Sequence, residues 1–135
     1  MLKVFVYGTL KPGERYYDRY CAGKVVEEKP AFTLGKIYHL PIFGYPAMIP
    51  GDGKVQGYLL SFAKSEFLQD LDGLEDYLPD RSPEQNLYNR QEVEIYDREG
   101  TSQGLAWVYF MTQHQVNRFG GVALPSGWWT GKISS

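Results

Sequence analysis

The chain has 135 residues, so we expect a single domain over residues 1–135, able to bury roughly two thirds of its unfolded surface. Its 43% hydrophobic and 22% charged residues are typical of a soluble globular protein and exclude a disordered one. The net charge of −2, with basic residues scattered from Lys3 to Lys132, argues against a non-specific grip on nucleic acid phosphates.

Strands and one short helix are predicted for the first part of the chain. Leu2 to Tyr7 is an alternating run rich in β-branched and aromatic residues, which indicates a strand that Gly8 ends. Arg15 to Ala22 is predicted to form a short helix. Between Lys24 and Leu60 we expect several short strands, because the stretch is interrupted at Pro30, Gly35, Pro41, Pro46, Pro50 and Gly51. Val55 to Phe62 is the clearest strand pattern in this region.

One long helix and two further strands are predicted for the second half. Ala63 to Leu78 has a helical pattern, with Ser65 as the expected N-cap and Pro79 as the residue that prevents continuation. Tyr88 to Tyr96 and Leu105 to Met111 are predicted strands separated by a turn.

The order of these elements indicates the fold class. Residues 112–135 contain several glycines and tryptophans without periodicity, which predicts an irregular C-terminal tail. Many strands, one long helix and one short helix predict an α+β domain built on a mixed or antiparallel sheet that can close into a barrel.

Cysteine usage and the N-terminus indicate a cytoplasmic protein without a metal site. Cys21 is the only cysteine, so no intramolecular disulfide forms, and a reducing compartment fits best. Cys21, His39 and His114 are too far apart in sequence to indicate a zinc site. The N-terminus has no signal-peptide pattern, and no stretch approaches the roughly 18 apolar residues that span a bilayer.

Glu75 occupies an apolar position in the predicted long helix. At roughly 100° per residue, an apolar stripe forms within about 60° of Leu71 from Phe67, Leu68, Leu74 and Leu78. Glu75 lies about 40° from Leu71, inside that stripe, whereas Glu66, Asp70 and Asp76 lie outside it. Glu75 therefore points where the pattern expects a leucine.

Two interpretations of Glu75 stay open on periodicity alone. Its carboxylate reaches water near the helix end, or pairs with a cation such as Arg81 or Arg90. Alternatively it is a site carboxylate, because apolar neighbours disfavour the charged form and raise the pKa toward the range useful for proton transfer. No second acid shares its arc, which argues against a glycosidase-type carboxylate pair.

Five stretches in a fixed order resemble the γ-glutamylcyclotransferase-like family, including its γ-glutamylamine cyclotransferase and AIG2-like branches. They are Tyr7-Gly8-Thr9-Leu10, Gly44 to Met48, Leu71 to Tyr77, Leu87 to Arg90, and Ala106 to Tyr109. The resemblance implies a small, mixed and largely antiparallel β-barrel with a substrate cavity at one mouth. It also implies that Tyr7, Gly8, Thr9 and Leu10 contact the γ-glutamyl group and that Glu75 is the general acid/base.

The implied reaction forms 5-oxoproline from a γ-glutamyl amine or peptide. The α-amine of the substrate attacks the side-chain carbonyl of the same molecule, so the enzyme mainly fixes a reactive conformer. A carboxylate takes a proton from the α-ammonium and protonates the leaving nitrogen, with no metal or cofactor. Backbone N–H groups at Gly8 to Leu10 are candidate donors to the developing oxyanion. The expected partner is a small γ-glutamyl compound, not nucleic acid or a membrane, and the oligomeric state is left open.

Several further residues have a structural and a functional interpretation. Tyr7 donates its hydroxyl to the substrate or packs in the core, and Thr9 binds a substrate carboxylate or caps a turn. Tyr88 and Arg90 share strand parity opposite to Val93 and Ile95, so they point away from the core that those residues fill. Tyr88 and Tyr109 are further predicted substrate-binding residues, and the alternative for Tyr109 is a place in the core. Trp128 and Trp129, at the end of the tail, cover the cavity or anchor the tail.

A non-catalytic binding protein that keeps the cavity is the main alternative, because a fold does not guarantee an activity. Both interpretations predict a pocket near Tyr7 to Leu10. Only the enzyme requires Glu75 to face that pocket.

Overall fold

The computed structural model describes residues 1–131. Its strands are β1 (Leu2–Val6), β2 (Val25–Leu40), β3 (Tyr45–Phe62), β4 (Asn89–Tyr96), β5 (Ser102–Phe110) and β6 (Val122–Ala123). Its helices are α1 (Tyr17–Tyr20), α2 (Phe67–Leu74) and α3 (Gln113–Arg118), with a 3-10 turn at Pro83–Gln85.

Five of the strands close into a barrel. They follow the order β3-β1-β5-β4-β2, and pairing of β2 with β3 completes the ring, while β6 adds to β2 outside it. Strands β1 and β5 run parallel, with Val4 opposite Trp107, and every other pair is antiparallel. The predicted fold class, an α+β domain on a small, mixed and largely antiparallel barrel, is confirmed.

The barrel wall separates two apolar clusters. Phe5 and Ile95 belong to the interior cluster, which contains residues of all five barrel strands and none of the helices. Val4 and Val6, on the other face of β1, pack outside the barrel in a cluster that includes Phe67 and Leu71 of α2. Alternation along a strand thus fills the barrel with one set of side chains and attaches α2 to its outer wall with the other.

The prediction of several short strands between Lys24 and Leu60 is wrong. This region forms one long hairpin of β2 and β3, which pair from Val25–Phe62 to Leu40–Tyr45. The register shifts between Leu34 and Lys36, so the irregularity at Gly35 is absorbed within the strand instead of ending it. Prolines and glycines here mark bulges and close packing, and the interruptions in the pattern were misinterpreted as strand ends.

The helices are shorter than predicted. Helix α2 has eight residues instead of the expected span from Ala63 to Leu78, and α1 has four instead of the span from Arg15 to Ala22. Glu66, not Ser65, is the N-cap residue of α2, and its side chain makes no capping hydrogen bond. The prediction of one long helix is therefore wrong, although the helix lies in the predicted region.

The tail contains regular structure, which contradicts the prediction of an irregular segment over residues 112–135. Helix α3 begins after Thr112, whose hydroxyl accepts a hydrogen bond from the Gln115 N–H at 3.1 Å. A threonine N-cap is a sequence signal for a helix start that the glycines farther along the tail obscured. Residues 132–135 of the predicted tail lie outside the described residues.

Within residues 1–131, no helix is long and apolar enough to cross a membrane. The cytoplasmic location inferred from cysteine usage stays a prediction.

Candidate active site

A cavity of about 100 Å³ opens at the rim of the barrel where β1 and β5 both end. Because these two strands are parallel, the residues at their carboxyl ends meet at one edge of the sheet, which brings Tyr7 beside Tyr109. All seven residues predicted for the site line the cavity, namely Tyr7, Gly8, Thr9, Leu10, Glu75, Tyr88 and Tyr109. Among residues 1–131, Glu75 is the only one that contributes a charged side chain to the lining.

The end of α2 sets the position of Glu75. Glu75 is the C-cap residue, and Asp76 after it has a left-handed backbone with φ of 54°. The N–H of Tyr77 donates to the Asp72 carbonyl at 2.9 Å, and the N–H of Asp76 donates to the Gly73 carbonyl at 3.4 Å. This is the Schellman pattern of helix termination, with aspartate in the place that glycine usually takes. Glu75 is thus placed at the rim by a defined helix end.

The Glu75 carboxylate has no hydrogen-bond or ion-pair partner among the described residues. Both arginines proposed from the sequence as its partners bind neighbouring acids instead. Arg81 pairs with Asp76 at 3.1 Å, and Arg90 pairs with Asp72 at 2.8 Å. Burial raises the pKa of Glu75 from 4.5 to about 7. Near neutral pH this carboxyl group can therefore both accept and donate a proton.

The turn that follows β1 forms a second wall of the cavity. The N–H of Lys11 donates to the Gly8 carbonyl at 3.0 Å, which closes a tight turn over Gly8 to Lys11. A Cβ atom at Gly8 would lie 2.7 Å from Cγ of Pro46, so only glycine allows this close approach. The N–H groups of Gly8, Thr9 and Leu10 donate no hydrogen bond to another described residue. They are unused donors beside the cavity.

The Tyr7 hydroxyl donates its proton in a hydrogen bond within the protein. Tyr7 donates to the Tyr109 carbonyl at 2.6 Å and accepts a hydrogen bond from the Met48 N–H at 3.3 Å. Tyr7 is buried and belongs to the interior cluster, so the core interpretation of this residue is confirmed. In this arrangement a carbonyl oxygen holds the hydroxyl proton, and contact of Tyr7 with the substrate stays a prediction.

Tyr88 and Tyr109 are both buried and both line the cavity. They belong to the outer apolar cluster, whereas Ile95 and Val93 belong to the interior one, as strand parity predicted. The Tyr88 hydroxyl donates to the Pro46 carbonyl at 2.6 Å, and the Tyr109 hydroxyl donates to Oδ1 of Asp72 at 2.7 Å. Burial, with a contribution from the Glu75 charge, raises the pKa of Tyr88 and of Tyr109.

The cavity is lined by a turn with unused N–H donors and by the unpaired carboxylate of Glu75, and the comparisons with known proteins agree with such a site. The family model described as gamma-glutamyl cyclotransferase, AIG2-like, matches residues 4–131. The chain belongs to this family. The γ-L-glutamyl-butirosin B γ-glutamyl cyclotransferase of Niallia circulans is 29% identical to it over 119 residues, which cover 88% of this chain and 74% of that protein.

Solved structures agree with this assignment at the level of the fold. An AIG2-like protein of Mus musculus superimposes with a TM-score of 0.72 and 21% identity, covering 98% of this chain and 90% of that one. YkqA of Bacillus subtilis superimposes with a TM-score of 0.65 and 21% identity, covering 95% of this chain. This chain spans only 39% of the length of YkqA. The family match and the Niallia circulans relative together support a cyclotransferase enzyme.

Sequence reasoning missed other parts of the site of this AIG2-like chain. Tyr16, Tyr45, Pro46, Leu74 and Leu87 also line the cavity. Tyr45 lies in one of the stretches that carry the family resemblance, so that stretch was the available signal. Tyr16 carries no comparable signal, because it reaches the cavity through the path of a loop.

The two tail tryptophans do not line the cavity. Trp129 is buried in the barrel interior, and its indole N–H donates to Nδ1 of His39 at 3.0 Å, so the anchoring interpretation is confirmed. The Lys11 ammonium donates to the Trp129 carbonyl and lies 3.3 Å from the centre of the Trp128 ring. The tail therefore holds the loop that follows the Gly8 turn.

The thiol of Cys21 does not compete with Glu75 as the reactive group of the AIG2-like domain. Cys21 is fully buried, and burial raises the pKa of its thiol to about 12, so it is not a nucleophile near neutral pH. Residues 1–131 contain no group of three or more histidine, cysteine, aspartate or glutamate side chains placed to hold a metal ion.

Proposed function

We propose that this chain converts a γ-glutamyl amine or peptide to 5-oxoproline and a free amine, with Glu75 as the general acid/base. The observation that carries the proposal is the unpaired carboxyl group of Glu75, with a pKa raised to about 7, in a cavity shared with the Tyr7 to Leu10 turn. Membership of the cyclotransferase family supports the reaction class. The Niallia circulans relative supports it too, since its name describes action on a γ-glutamyl amide.

One carboxyl group, that of Glu75, can both accept and donate the proton that the reaction transfers. The ionised Glu75 takes a proton from the α-ammonium, and the resulting amine attacks the γ-carbonyl carbon to form the ring C–N bond. Glu75 then returns that proton to the leaving nitrogen as the original C–N bond breaks. The second proton shed by the ring nitrogen leaves with the released amine, which departs as an ammonium ion.

The developing negative charge on the γ-carbonyl oxygen needs hydrogen-bond donors. The unused N–H groups of Gly8, Thr9 and Leu10 are suited to this role, because fixed backbone donors need no reorganisation during the reaction. The close contact of Gly8 with Pro46 holds the turn in place. The cavity contributes further by holding the substrate in the folded conformer from which the ring closes.

The test is release of 5-oxoproline from γ-glutamyl amines, γ-glutamyl dipeptides and γ-glutamyl-lysine isopeptides, compared between the wild-type protein and Glu75→Gln. We expect turnover of at least one class and a fall of about 10²- to 10⁴-fold in the variant, the range for loss of a general acid/base. Glu66→Gln is the matched control, because Glu66 is an exposed glutamate at the other end of α2. Full activity in a folded Glu75→Gln protein would remove the mechanism. Ligand binding without release of 5-oxoproline would instead support the non-catalytic alternative.

A further inference from the structure

Three tyrosine hydroxyl groups at the cavity have their protons fixed by acceptors within the protein. Tyr7 donates to the Tyr109 carbonyl, Tyr88 to the Pro46 carbonyl, and Tyr109 to the Asp72 carboxylate, at 2.6, 2.6 and 2.7 Å. Carbonyl and carboxylate oxygens only accept hydrogen bonds, so the direction of each bond is determined. The three hydroxyl oxygens can therefore offer only lone pairs to a ligand.

Two of these oxygens have acceptor capacity left. The Tyr7 oxygen already accepts a hydrogen bond from the Met48 N–H. No described group donates to the hydroxyl oxygen of Tyr88 or Tyr109. Tyr88, Tyr109 and Glu75 line the same cavity. The described lining of the cavity thus brings together one carboxylate and two neutral acceptors, and it includes no cationic side chain.

We propose that Tyr88 and Tyr109, together with Glu75, bind the α-ammonium group of the γ-glutamyl substrate; this inference rests on the proposed function. An ammonium group has three N–H donors, and the cavity supplies three acceptors for them. When Glu75 removes one proton, the two tyrosine oxygens still hold the remaining N–H bonds, so the nitrogen stays in place for attack. The site then selects γ-glutamyl compounds with a free α-amine and rejects those in which it is missing or acylated.

Asp72 and Arg90 are positioning residues for this arrangement. Oδ1 of Asp72 accepts from both the Tyr109 hydroxyl and Nε of Arg90, at 2.7 and 2.8 Å. The Arg90 guanidinium lies 4.5 Å from the ring centre of Trp107, which fixes its orientation on the barrel wall. Without the Asp72 carboxylate, the Tyr109 proton would be free to turn into the cavity and oppose a cation there.

The experiment compares two ligands that differ only in the ammonium group. l-Glutamine carries it, and glutaramate is the same chain without it. Calorimetric affinities are measured for the wild-type protein, Tyr88→Phe, Tyr109→Phe and the double variant, with 5-oxoproline release monitored in parallel. Tyr96→Phe is the control, because its hydroxyl bonds to exposed Glu94 and Tyr96 does not line the cavity.

We expect the wild-type protein to bind l-glutamine at least about tenfold more tightly than glutaramate, since hydrogen bonds to a charged group have that strength. Each cavity variant should lose about tenfold of this preference, and Tyr96→Phe should keep it. In an Asp72→Ala background, Tyr109→Phe should cause no further loss, because Asp72 acts through Tyr109.

Equal affinity for the two ligands in the wild-type protein would overturn the inference, as would a preference that is as large in the double variant as in the wild-type protein, because only the contribution of Glu75 should remain there. If Asp72→Ala does not fold, the tyrosine variants alone decide the outcome. A preference for l-glutamine that depends on Tyr88 and Tyr109, without turnover of any γ-glutamyl compound, would support the recognition and remove the proposed function. Turnover of a γ-glutamyl compound without a preference for l-glutamine would support the proposed function and overturn the recognition of the ammonium group by the two tyrosines.

Discussion

Asp72 and Glu75 lie three residues apart at the end of α2, but only Asp72 has a cationic partner among the described residues. Arg90 binds Asp72, and Arg81 binds Asp76, so the acids on either side of Glu75 in sequence take both nearby arginines. Burial then acts on Glu75 without a compensating positive charge and raises its pKa. Its place at the carboxyl end of a helix disfavours the negative charge further.

We expect kcat/KM to depend on pH through Glu75. It should rise as pH increases through about 7, because Glu75 must be ionised to accept the proton of the α-ammonium. It should fall at higher pH as the free substrate loses that proton. A pH profile of 5-oxoproline release checks this, with a substrate of known amine pKa. An ascending limb near pH 4.5, the ordinary value for glutamate, would contradict the assignment.

Glu75→Gln should stabilise the protein above pH 7. The pKa of Glu75 is raised in the folded state, so between pH 4.5 and 7 the unfolded chain ionises first, and the free energy of unfolding falls as pH rises. The ionised Glu75 therefore lowers the free energy of unfolding by at most about 3 kcal/mol, and the partial exposure of the residue reduces this effect. Urea unfolding at pH 4 and pH 8 measures it. The two proteins should have similar stability at pH 4, and the variant should be more stable at pH 8. Equal stability at both pH values would count against a half-buried Glu75 carboxylate without a cationic partner.

Gly8→Ala should impair activity by moving the turn. The added Cβ would lie 2.7 Å from Cγ and 3.0 Å from Cδ of Pro46, so the turn or the proline must shift. Overpacking of this kind costs about 1–3 kcal/mol of stability, and we expect kcat/KM to fall at least tenfold because the backbone donors move. Gly73→Ala is the control, because a Cβ there meets no atom within 4 Å and alanine favours the helix. Unchanged kcat/KM in Gly8→Ala would show that the turn does not bind the reacting carbonyl.

The left-handed backbone of Asp76 should be detectable by two substitutions that both remove its carboxylate. Asp76→Gly fits a positive φ without strain, whereas Asp76→Ala does not, and both lose the bond to Arg81 equally. We therefore expect the glycine variant to exceed the alanine variant in unfolding free energy by about 1 kcal/mol. Thermal or urea unfolding of the pair tests this. Equal stabilities would mean that the helix ends differently in solution.

Local patterns predicted the strands with alternating side chains and the inward direction of Glu75. They also predicted that Tyr88 and Arg90 lie on the opposite face from Ile95. This prediction needs only the alternation of side chains along one strand and no knowledge of the partner strands. The hairpin of β2 and β3 was missed because its bulge at Gly35 is stabilised by pairing along the whole length of both strands. Such pairing is a tertiary effect and is not readable from a short window of sequence.

The partners of the site residues were the least predictable part. The sequence suggested Glu75 as a partner of Arg90. In the fold, the packing of α2 against β4 places Arg90 beside Asp72, about one helical turn before Glu75. The end of α2 was placed too late because Asp76 takes a left-handed conformation that usually signals glycine. Both outcomes depend on the packing of separate elements, for which the sequence carries no local pattern.

The hydrogen bonds between the tail and the loop that follows the Gly8 turn have a consequence for folding during synthesis on the ribosome. Lys11 binds the Trp129 carbonyl, and Glu14 accepts hydrogen bonds from Thr130 and Gly131. This wall of the cavity is translated before the tail, yet it gains these bonds only after Trp129 has left the exit tunnel. A nascent chain can therefore form the long hairpin of β2 and β3 before the tail is available to hold this wall of the binding site.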